Sequence, residues 1–260
     1  MKLYQSLEYH IDNRIAFLTL NRPELGNTLD EVLMVELKDA FMAAEQDPQV
    51  KVMILRGKGT SFCLGLDPEH LLKAQGYTLD QNLAEASTLA QLYLNVYRST
   101  KVVIAQVEGD ALGAGAGLVT VCDFSFLSDG IRLGYPEVKL GRVPALMMPF
   151  LIRKVGETRA KQLMLGGGMI DAHEAFRLNL VTGVFPSEQI KDKVEGLAQE
   201  ICQQNSAASL QLTKKMLADI QDFPLENAIK FAARLSARAR NTEEYLRGLK
   251  AQLDGKEVDW

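Results

Sequence analysis

Two short apolar segments constrain the fold of this chain more than any other feature. They are KVMILR at 51–56 and VVIAQV at 102–107, and the first, closed by Gly57, is too short for a buried helix. Apolar runs of this length are typical of strands buried on both faces, as in a parallel sheet covered by helices. Because amphipathic segments of helical spacing lie between them, the sequence predicts an α/β fold.

The flanking segments predict the other elements of the core. Strands at 2–10 and 14–20, joined by a turn at Asp12-Asn13, form a hairpin. Capping-box patterns at 28–31 and 78–81 predict a helix that ends at 47–48 and a helix that ends at about Arg98. Further predictions are a loop at 57–67, a helix at 113–122, strands at 124–127 and 131–133, an extended segment at 181–185, and helical segments that start at Thr158, Asp171, Ser187, Ser206 and Pro224.

The length of 260 residues fits one large domain, and no repeat or linker divides it. We expect a core over residues 1–205 and a helical C-terminal region over 206–260 that belongs to the same functional unit. The junction at Asn205-Ser206 is the point where that region leaves the core and packs elsewhere, for example on a neighbouring subunit.

Charge and cysteine content exclude several classes of protein. The 29 basic and 33 acidic residues give a net charge of −4, so no global basic field favours nucleic acid or an anionic membrane. Three cysteines far apart in the chain form neither a disulfide framework nor a CxxC metal motif, which favours a reducing compartment. The N-terminus has no apolar signal region and no apolar stretch approaches membrane-spanning length, so we expect a cytoplasmic protein.

A glycine-rich segment at 109–117 follows one buried strand and opens a helix. Such a position exposes free backbone N–H groups at the positive end of a helix dipole. Its GxGxG spacing, more than a hundred residues into the chain, argues against the GxGxxG turn of dinucleotide-binding folds. The glycines alone leave open that small residues merely let the helix cross a strand closely.

Two other loops carry candidate chemistry. SFCLGLD at 61–67 follows a buried strand, with Gly65 placed to turn the backbone, so this loop and the glycine-rich segment can each aim one N–H at the same carbonyl oxygen. In LGYPEVKLG at 133–141, Glu137 lies in an apolar loop, where desolvation would raise its pKa and suit it to proton transfer. The alternative is an exposed glutamate paired with Lys139 or Arg142.

In their order, NRPELGNTL, SFCLGLD, VIAQVEGDALGAGAGLVTVCDF and LGYPEVKLGRVPA resemble the crotonase (enoyl-CoA hydratase/isomerase) family, and the resemblance runs from about residue 4 to the C-terminus. PEVKLGRVPA, PFLIRKVGE, SARARNTEE and the terminal tryptophan are most similar to bacterial methylglutaconyl-CoA hydratases. The resemblance implies a crotonase-like spiral of ββα units with a helical C-terminal trimerisation region, and homotrimers or hexamers built as dimers of trimers.

It also implies roles for individual residues. The backbone N–H groups of Leu66 and Ala114 form the oxyanion hole, and Glu137 moves the proton. Leucines at 64 and 66, where the family often has alanine, narrow the acyl pocket. The substrate is an acyl-CoA thioester, with coenzyme A entering only as part of it and with neither metal nor redox cofactor. Substrate-binding residues would be Leu25, Leu64, Gly65, Asp67, Leu112, Gly113, Gly117 and Pro136.

Departures from the family pattern leave the activity open. Gly117 stands where family hydratases carry a second glutamate, and a single carboxylate suffices for the proton shuttle of a Δ3,Δ2-enoyl-CoA isomerase. Methylglutaconyl-CoA hydratase-like relatives share this glycine, so we favour an enoyl-CoA hydratase of fatty acid or branched-chain amino acid metabolism. The alternative among proteins that are not enzymes is a non-catalytic acyl-CoA-binding protein. Glu24 replaces a basic residue near the expected nucleotide end, and Asp110 is a candidate to assist water.

Overall fold

The computed structural model describes residues 3–258 and Trp260, whose strands form a six-stranded and a four-stranded sheet. The strands are β1 Leu7–Asp12, β2 Ile15–Leu20, β3 Val52–Gly57, β4 Ser61–Cys63, β5 Val102–Val107, β6 Asp110–Leu112, β7 Phe124–Ser128, β8 Arg132–Gly134, β9 Met169–Asp171 and β10 Gly183–Phe185. The helices are α1 Glu31–Gln46, α2 Pro68–Lys73, α3 Leu79–Arg98, α4 Ala114–Val121, α5 Met148–Val155, α6 Glu157–Gly166, α7 Ala172–Arg177, α8 Ile190–Gln204, α9 Ala207–Asp219, α10 Leu225–Ala239 and α11 Glu243–Asp254.

The larger sheet has the order β1-β2-β3-β5-β7-β10, and only the β1–β2 pair is antiparallel. The two apolar runs are adjacent central strands in parallel register, with Val52 opposite Val102. Every residue of β2 and β5 is buried. This confirms the predicted parallel α/β core.

The smaller sheet has the order β4-β6-β8-β9, and it explains the path of the chain. The strand pairs β3 and β4, β5 and β6, and β7 and β8 each step from the larger sheet to the smaller one, and helices follow the first two pairs. Repetition of this step produces the predicted spiral of ββα units. It also brings the ends of β4, β6 and β8 side by side.

Side chains of the large sheet divide between two apolar clusters because neighbouring residues of a strand point to opposite faces. In β2, Leu18 and Leu20 join the cluster that also contains residues of α1, α3 and α4. Ile15 and Phe17 join the second cluster, which α8 covers with residues such as Val194. The site described below belongs to the side of α3 and α4.

The N-terminal hairpin differs from its prediction in two places. The hairpin turn is at Asn13-Arg14, with φ of 48° and 68°, because Asp12 still pairs with Ile15. The first strand begins at Leu7, and its predicted start at Lys2 lies outside the described residues.

The capping box predicted at 28–31 is wrong, whereas the box of Thr78 and Gln81 is confirmed. Asp30 caps α1 by accepting a hydrogen bond from the Leu33 N–H. Thr28 lies two residues before this cap, and its hydroxyl donates to the Asp67 carboxylate over 2.9 Å.

Short elements account for most other differences. The predicted loop at 57–67 contains β4, and neither β6, β9 nor α2 was expected. A strand of three residues shows no measurable alternation, so sequence periodicity does not reveal it. The extended segment at 181–185 shrinks to β10, and the predicted strands at 124–127 and 131–133 become β7 and β8 with ends shifted by one residue.

The C-terminal helices pack in part on the chain's own core. Lys214 of α9 is buried, and its ammonium group donates to the backbone oxygen of Lys101, 2.6 Å away. Arg14 in the hairpin turn donates to the backbone oxygen of Trp260. The division at residue 205 stays a prediction. In the part of the chain that the structure describes, no helix has both the length and the apolar character needed to cross a bilayer.

Candidate active site

A cavity of about 220 Å³ lies where three loops of the spiral meet. One loop follows β4 and contributes Leu66, the second follows β6 and contributes Ala114, and the third is a 3-10 helix, Pro136–Leu140, that contributes Glu137. The three motifs of the sequence therefore converge. Of the residues that line this cavity, Glu137 and Arg142 carry ionisable side chains and the others are apolar.

Gly65 allows the first two loops to touch. Its φ of +99° lies in the region that favours glycine, and a β-carbon there would lie 3.1 Å from the Leu112 oxygen and 3.5 Å from the Ala114 nitrogen. Two hydrogen bonds to Leu29 hold the loop on either side of Leu66: Leu29 N–H donates to Gly65 and Asp67 N–H donates to Leu29. The Leu66 amide is thereby fixed close to the start of α4.

Two backbone donors at this point have no acceptor. Within residues 3–258 and 260, no hydrogen bond uses the N–H of Leu66 or the N–H of Ala114. Ala114 is the first residue of α4, where the helix leaves its N–H groups unsatisfied and its dipole is positive. Paired amides of this kind can hold a negatively charged oxygen.

Glu137 is half-buried beside these donors. Its Oε2 atom is buried without a hydrogen-bond partner among the described residues. Burial raises the pKa of Glu137 above its ordinary value, although a hydrogen bond from its own amide and the nearby Arg142 charge act in the opposite direction. The alternative of an exposed glutamate paired with Lys139 or Arg142 is wrong, since neither residue forms an ion pair with it in the described structure.

Gly117 faces a tyrosine rather than the cavity. A β-carbon on Gly117 would lie 2.4 Å from the Tyr93 hydroxyl oxygen, and this hydroxyl donates to the Ala114 backbone oxygen over 2.8 Å. Burial raises the pKa of Tyr93 well above its usual value, so the hydroxyl keeps the proton that it donates. Tyr93 thus fills the space that a longer side chain at 117 would require.

The structure brings together most of the predicted site residues but not all of them. Leu25 is half-exposed at the end of a 3-10 helix at 23–25, outside the cavity lining, and Asp67 caps α2 by accepting from the N–H groups of Glu69 and His70. Burial raises the pKa of Asp67, but hydrogen bonds and the Arg22 charge outweigh burial and leave this pKa below its usual value. The predicted residues that line the cavity are Leu64, Gly65, Leu66, Leu112, Gly113, Ala114, Pro136 and Glu137.

Asp110 is not placed to assist water. Its carboxylate accepts hydrogen bonds from the backbone and the guanidinium of Arg132, and it does not line the cavity. Sequence reasoning missed several residues of the site, among them Tyr93 behind α4 and the lining residues Leu89 and Arg142. Tyr93 and Leu89 share the apolar face of α3, a spacing that by itself indicates only core packing.

The sequence model of the enoyl-CoA hydratase/isomerase family matches residues 10–260. The chain belongs to this family. It is 32% identical to 2,3-dehydroadipyl-CoA hydratase of Escherichia coli over 95% of each chain. It is 31% identical to crotonyl-CoA hydratase of Syntrophomonas wolfei, over 99% of this chain and 98% of that protein.

Solved crotonase-family structures are similar across nearly the whole chain. The crystal structure of an enoyl-CoA hydratase/isomerase from Marinobacter aquaeolei covers 98% of each chain with a TM-score of 0.92 and 30% identity. These similarities confirm the family resemblance, the crotonase-like fold and the prediction that the protein is an enzyme.

Proposed function

We propose that the protein is an enoyl-CoA hydratase that adds water across the 2,3-double bond of its substrate through an enolate. The observation that carries this proposal is the pair of acceptor-free amides, Leu66 and Ala114, at an apolar cavity that also holds the Glu137 carboxyl. This arrangement supplies the two things that such a reaction needs: a site for negative charge on oxygen and a group that moves a proton.

In this mechanism the thioester oxygen lies between the two amides. As water attacks the β-carbon, charge accumulates on that oxygen, and fixed N–H groups stabilise it more in the transition state than in the substrate. Glu137 takes a proton from the attacking water and transfers one to the α-carbon, so that one water is added overall. A carboxyl whose pKa is raised by burial changes protonation state more readily near neutral pH.

We propose 3-methylglutaconyl-CoA as the first substrate to test. The support is the similarity of PEVKLGRVPA and the C-terminal motifs to methylglutaconyl-CoA hydratases. The relatives named above include hydratases of two different acyl groups, 2,3-dehydroadipyl and crotonyl, so family membership by itself does not select one acyl chain. The leucines at 64 and 66 favour a short acyl group because both line the cavity.

A second candidate function is Δ3,Δ2-enoyl-CoA isomerisation. The observation that favours it is the contact between Gly117 and Tyr93, which leaves no room for a second carboxylate at that position of α4. In this reaction Glu137 removes a proton from the α-carbon and returns it at the γ-carbon, with the same two amides holding the dienolate oxygen.

The test is to incubate wild type and Glu137→Gln with 3-methylglutaconyl-CoA and with matched 2-enoyl and 3-enoyl thioesters. Gain of one water with loss of conjugated absorbance, abolished in Glu137→Gln, is the result expected of a hydratase. Unchanged mass with new conjugation from a 3-enoyl thioester identifies an isomerase instead. Binding without conversion of any substrate contradicts both activities and supports a non-catalytic acyl-CoA-binding protein.

The same proposal covers cofactor, assembly and location. Backbone amides and one carboxyl suffice for the chemistry, so no metal or redox cofactor is needed.

We propose a homotrimer or a dimer of trimers in the cytoplasm, with region 206–260 at the subunit contacts. Exposed apolar residues on α10 and α11, such as Leu225, Ile229 and Leu253, and three buried free cysteines support this proposal. Light scattering with and without residues 206–260 tests the assembly.

A further inference from the structure

Arg142 is the positively charged side chain of the apolar cavity, and the backbone carries it there. Gly141 adopts a left-handed conformation, with φ of 68°, directly after the 3-10 helix that begins with Pro136 and Glu137. This turn folds the chain back, so that the Arg142 N–H donates to the Glu137 backbone oxygen over 2.9 Å. Arg142 and the Glu137 carboxyl therefore belong to the same compact loop.

The guanidinium of Arg142 has no acceptor of its own. In residues 3–258 and 260, no hydrogen bond or ion pair engages its side chain, although Arg22, Arg132, Arg153 and Arg177 each form an ion pair. Arg142 is also half-buried. Arg142 lines an otherwise apolar cavity without a counterion among the described residues, and a carboxylate bound in that cavity would supply one.

The charge of Arg142 acts on Glu137 without contact between the side chains. It lowers the pKa of the Glu137 carboxyl, yet the two groups lie beyond the 4.0 Å of an ion pair. Glu137 and Arg142 line the same cavity, so a short acyl chain with its α-carbon at Glu137 shares that cavity with Arg142. Planar bidentate pairing with a carboxylate is the interaction that a guanidinium makes best.

We propose that Arg142 is a specificity residue that binds a carboxylate at the far end of the acyl chain, so that the preferred substrates are short enoyl thioesters of dicarboxylic acids. This inference rests on the proposed function, because it places the α-carbon at Glu137. The other anionic groups of the substrate are the phosphates of coenzyme A, and they are the same for every acyl chain. A comparison between acyl chains on the same coenzyme therefore separates the two sources of negative charge.

The experiment uses 3-methylglutaconyl-CoA and 3-methylcrotonyl-CoA, which differ only in the terminal carboxylate. Wild type is expected to prefer the dicarboxylic substrate. Arg142→Met is expected to lower the ratio of the two kcat/KM values on the order of tenfold to a hundredfold, the effect of losing one charge-assisted hydrogen-bonded pair. Arg142→Lys is expected to recover part of the ratio. Lys139→Met is the matched control, since Lys139 is an exposed cation of the same loop that does not line the cavity, and it is expected to keep the wild-type ratio.

Calorimetric binding of glutaryl-CoA and butyryl-CoA gives a second readout that needs no turnover. Preferential loss of glutaryl-CoA affinity in Arg142→Met supports the proposal even if wild type hydrates neither enoyl substrate, a result that would refute only the proposed activity. If Arg142→Met loses affinity equally for both ligands, Arg142 contacts the coenzyme or supports the structure, and the proposal is overturned. A wild type with no preference for the carboxylate overturns it as well.

Discussion

A β-carbon on Gly113 would lie 2.8 Å from the Oε1 atom of Glu137. Gly113 also has φ of +53° and immediately precedes the first residue of α4. The same glycine therefore sets the direction of the Ala114 amide and makes room for the carboxyl. The amide proposed as an oxyanion donor and the carboxyl proposed to move the proton both adjoin Gly113, so their relative placement depends on a residue with no side chain.

We expect Gly113→Ala to destabilise the protein and to lower its activity. A positive φ of this kind costs a non-glycine residue about 1–3 kcal/mol, and displacement of one oxyanion donor costs ~10²–10³ in rate. Thermal melting and kcat measure the two effects. Gly130→Ala is the control, because Gly130 has φ of +78° and no atom within 4 Å of its added β-carbon. If Gly113→Ala and Gly130→Ala lose activity equally, the contact with Glu137 is not the cause.

Glu137→Gln is expected to abolish turnover while it stabilises the fold at high pH. The folded-state pKa of Glu137 is raised, so the stability that this group contributes is present below its ordinary pKa of 4.5 and is lost as pH rises through the raised value. The glutamine side chain of Glu137→Gln does not ionise, so the variant does not lose this stability as pH rises. Urea unfolding of both proteins should therefore show a stability gain for Glu137→Gln at about pH 8 that disappears near the ordinary glutamate pKa. A gain that persists unchanged at low pH would mean that packing, not ionisation, causes it.

The sequence predicts those elements of the fold whose structure follows from one strong local pattern, such as an apolar run or a capping box. VVIAQV becomes β5 with every residue buried, because five of its six residues are apolar and a short apolar run between turns is typical of a buried strand. The box of Thr78 and Gln81 caps α3 as predicted. At Thr28 the same pattern fails: Asp30 caps α1, and the Thr28 hydroxyl donates to Asp67, which lies 39 residues away in sequence. A distant partner of this kind leaves no trace in local spacing.

The site divides in the same way. Gly65, Gly113 and Glu137 stand out in sequence because glycines and a carboxylate are unusual in apolar segments that follow strands. Tyr93 does not stand out, because a tyrosine on the apolar face of a helix has the appearance of ordinary core, and only the structure places its hydroxyl against Gly117. Arg142 reaches the cavity because the chain turns back at Gly141, which is in a left-handed conformation. The spacing of residues in the sequence does not determine the direction of the chain after such a turn.

Gly117 and Tyr93 are expected to be strongly coupled in stability. Gly117→Ala places a methyl group against the buried hydroxyl, and overpacking of this kind typically costs about 1–3 kcal/mol. Tyr93→Leu removes the atoms that clash, so the double variant should be at least about 1 kcal/mol more stable than the sum of the single effects predicts. Chemical denaturation of all four proteins measures this coupling.

The control for this cycle is Gly196→Ala on the exposed face of α8, where the added β-carbon meets no atom within 4 Å. Alanine favours a helix over glycine by roughly 0.5–1 kcal/mol, so this variant should gain stability and its effect should add to that of Tyr93→Leu. If the changes in free energy of unfolding of Gly117→Ala and Tyr93→Leu simply add in the double variant, the Tyr93 hydroxyl is not what excludes a longer side chain at 117.

Leu66→Ala is expected to change which acyl chains react rather than whether they react. The Leu66 side chain lines the cavity, but the group proposed to hold the thioester oxygen is its backbone N–H, which alanine retains. The extra space should raise kcat/KM for octenoyl-CoA relative to crotonyl-CoA by about tenfold, the range by which apolar pockets discriminate small differences in chain size. Steady-state kinetics with crotonyl-, hexenoyl- and octenoyl-CoA give this ratio. Leu72→Ala, at a position 72% exposed on α2 and outside the lining, should leave it unchanged. Loss of activity toward all three substrates, in a variant that melts like wild type, would show that the Leu66 side chain positions the loop and does not simply limit the acyl pocket.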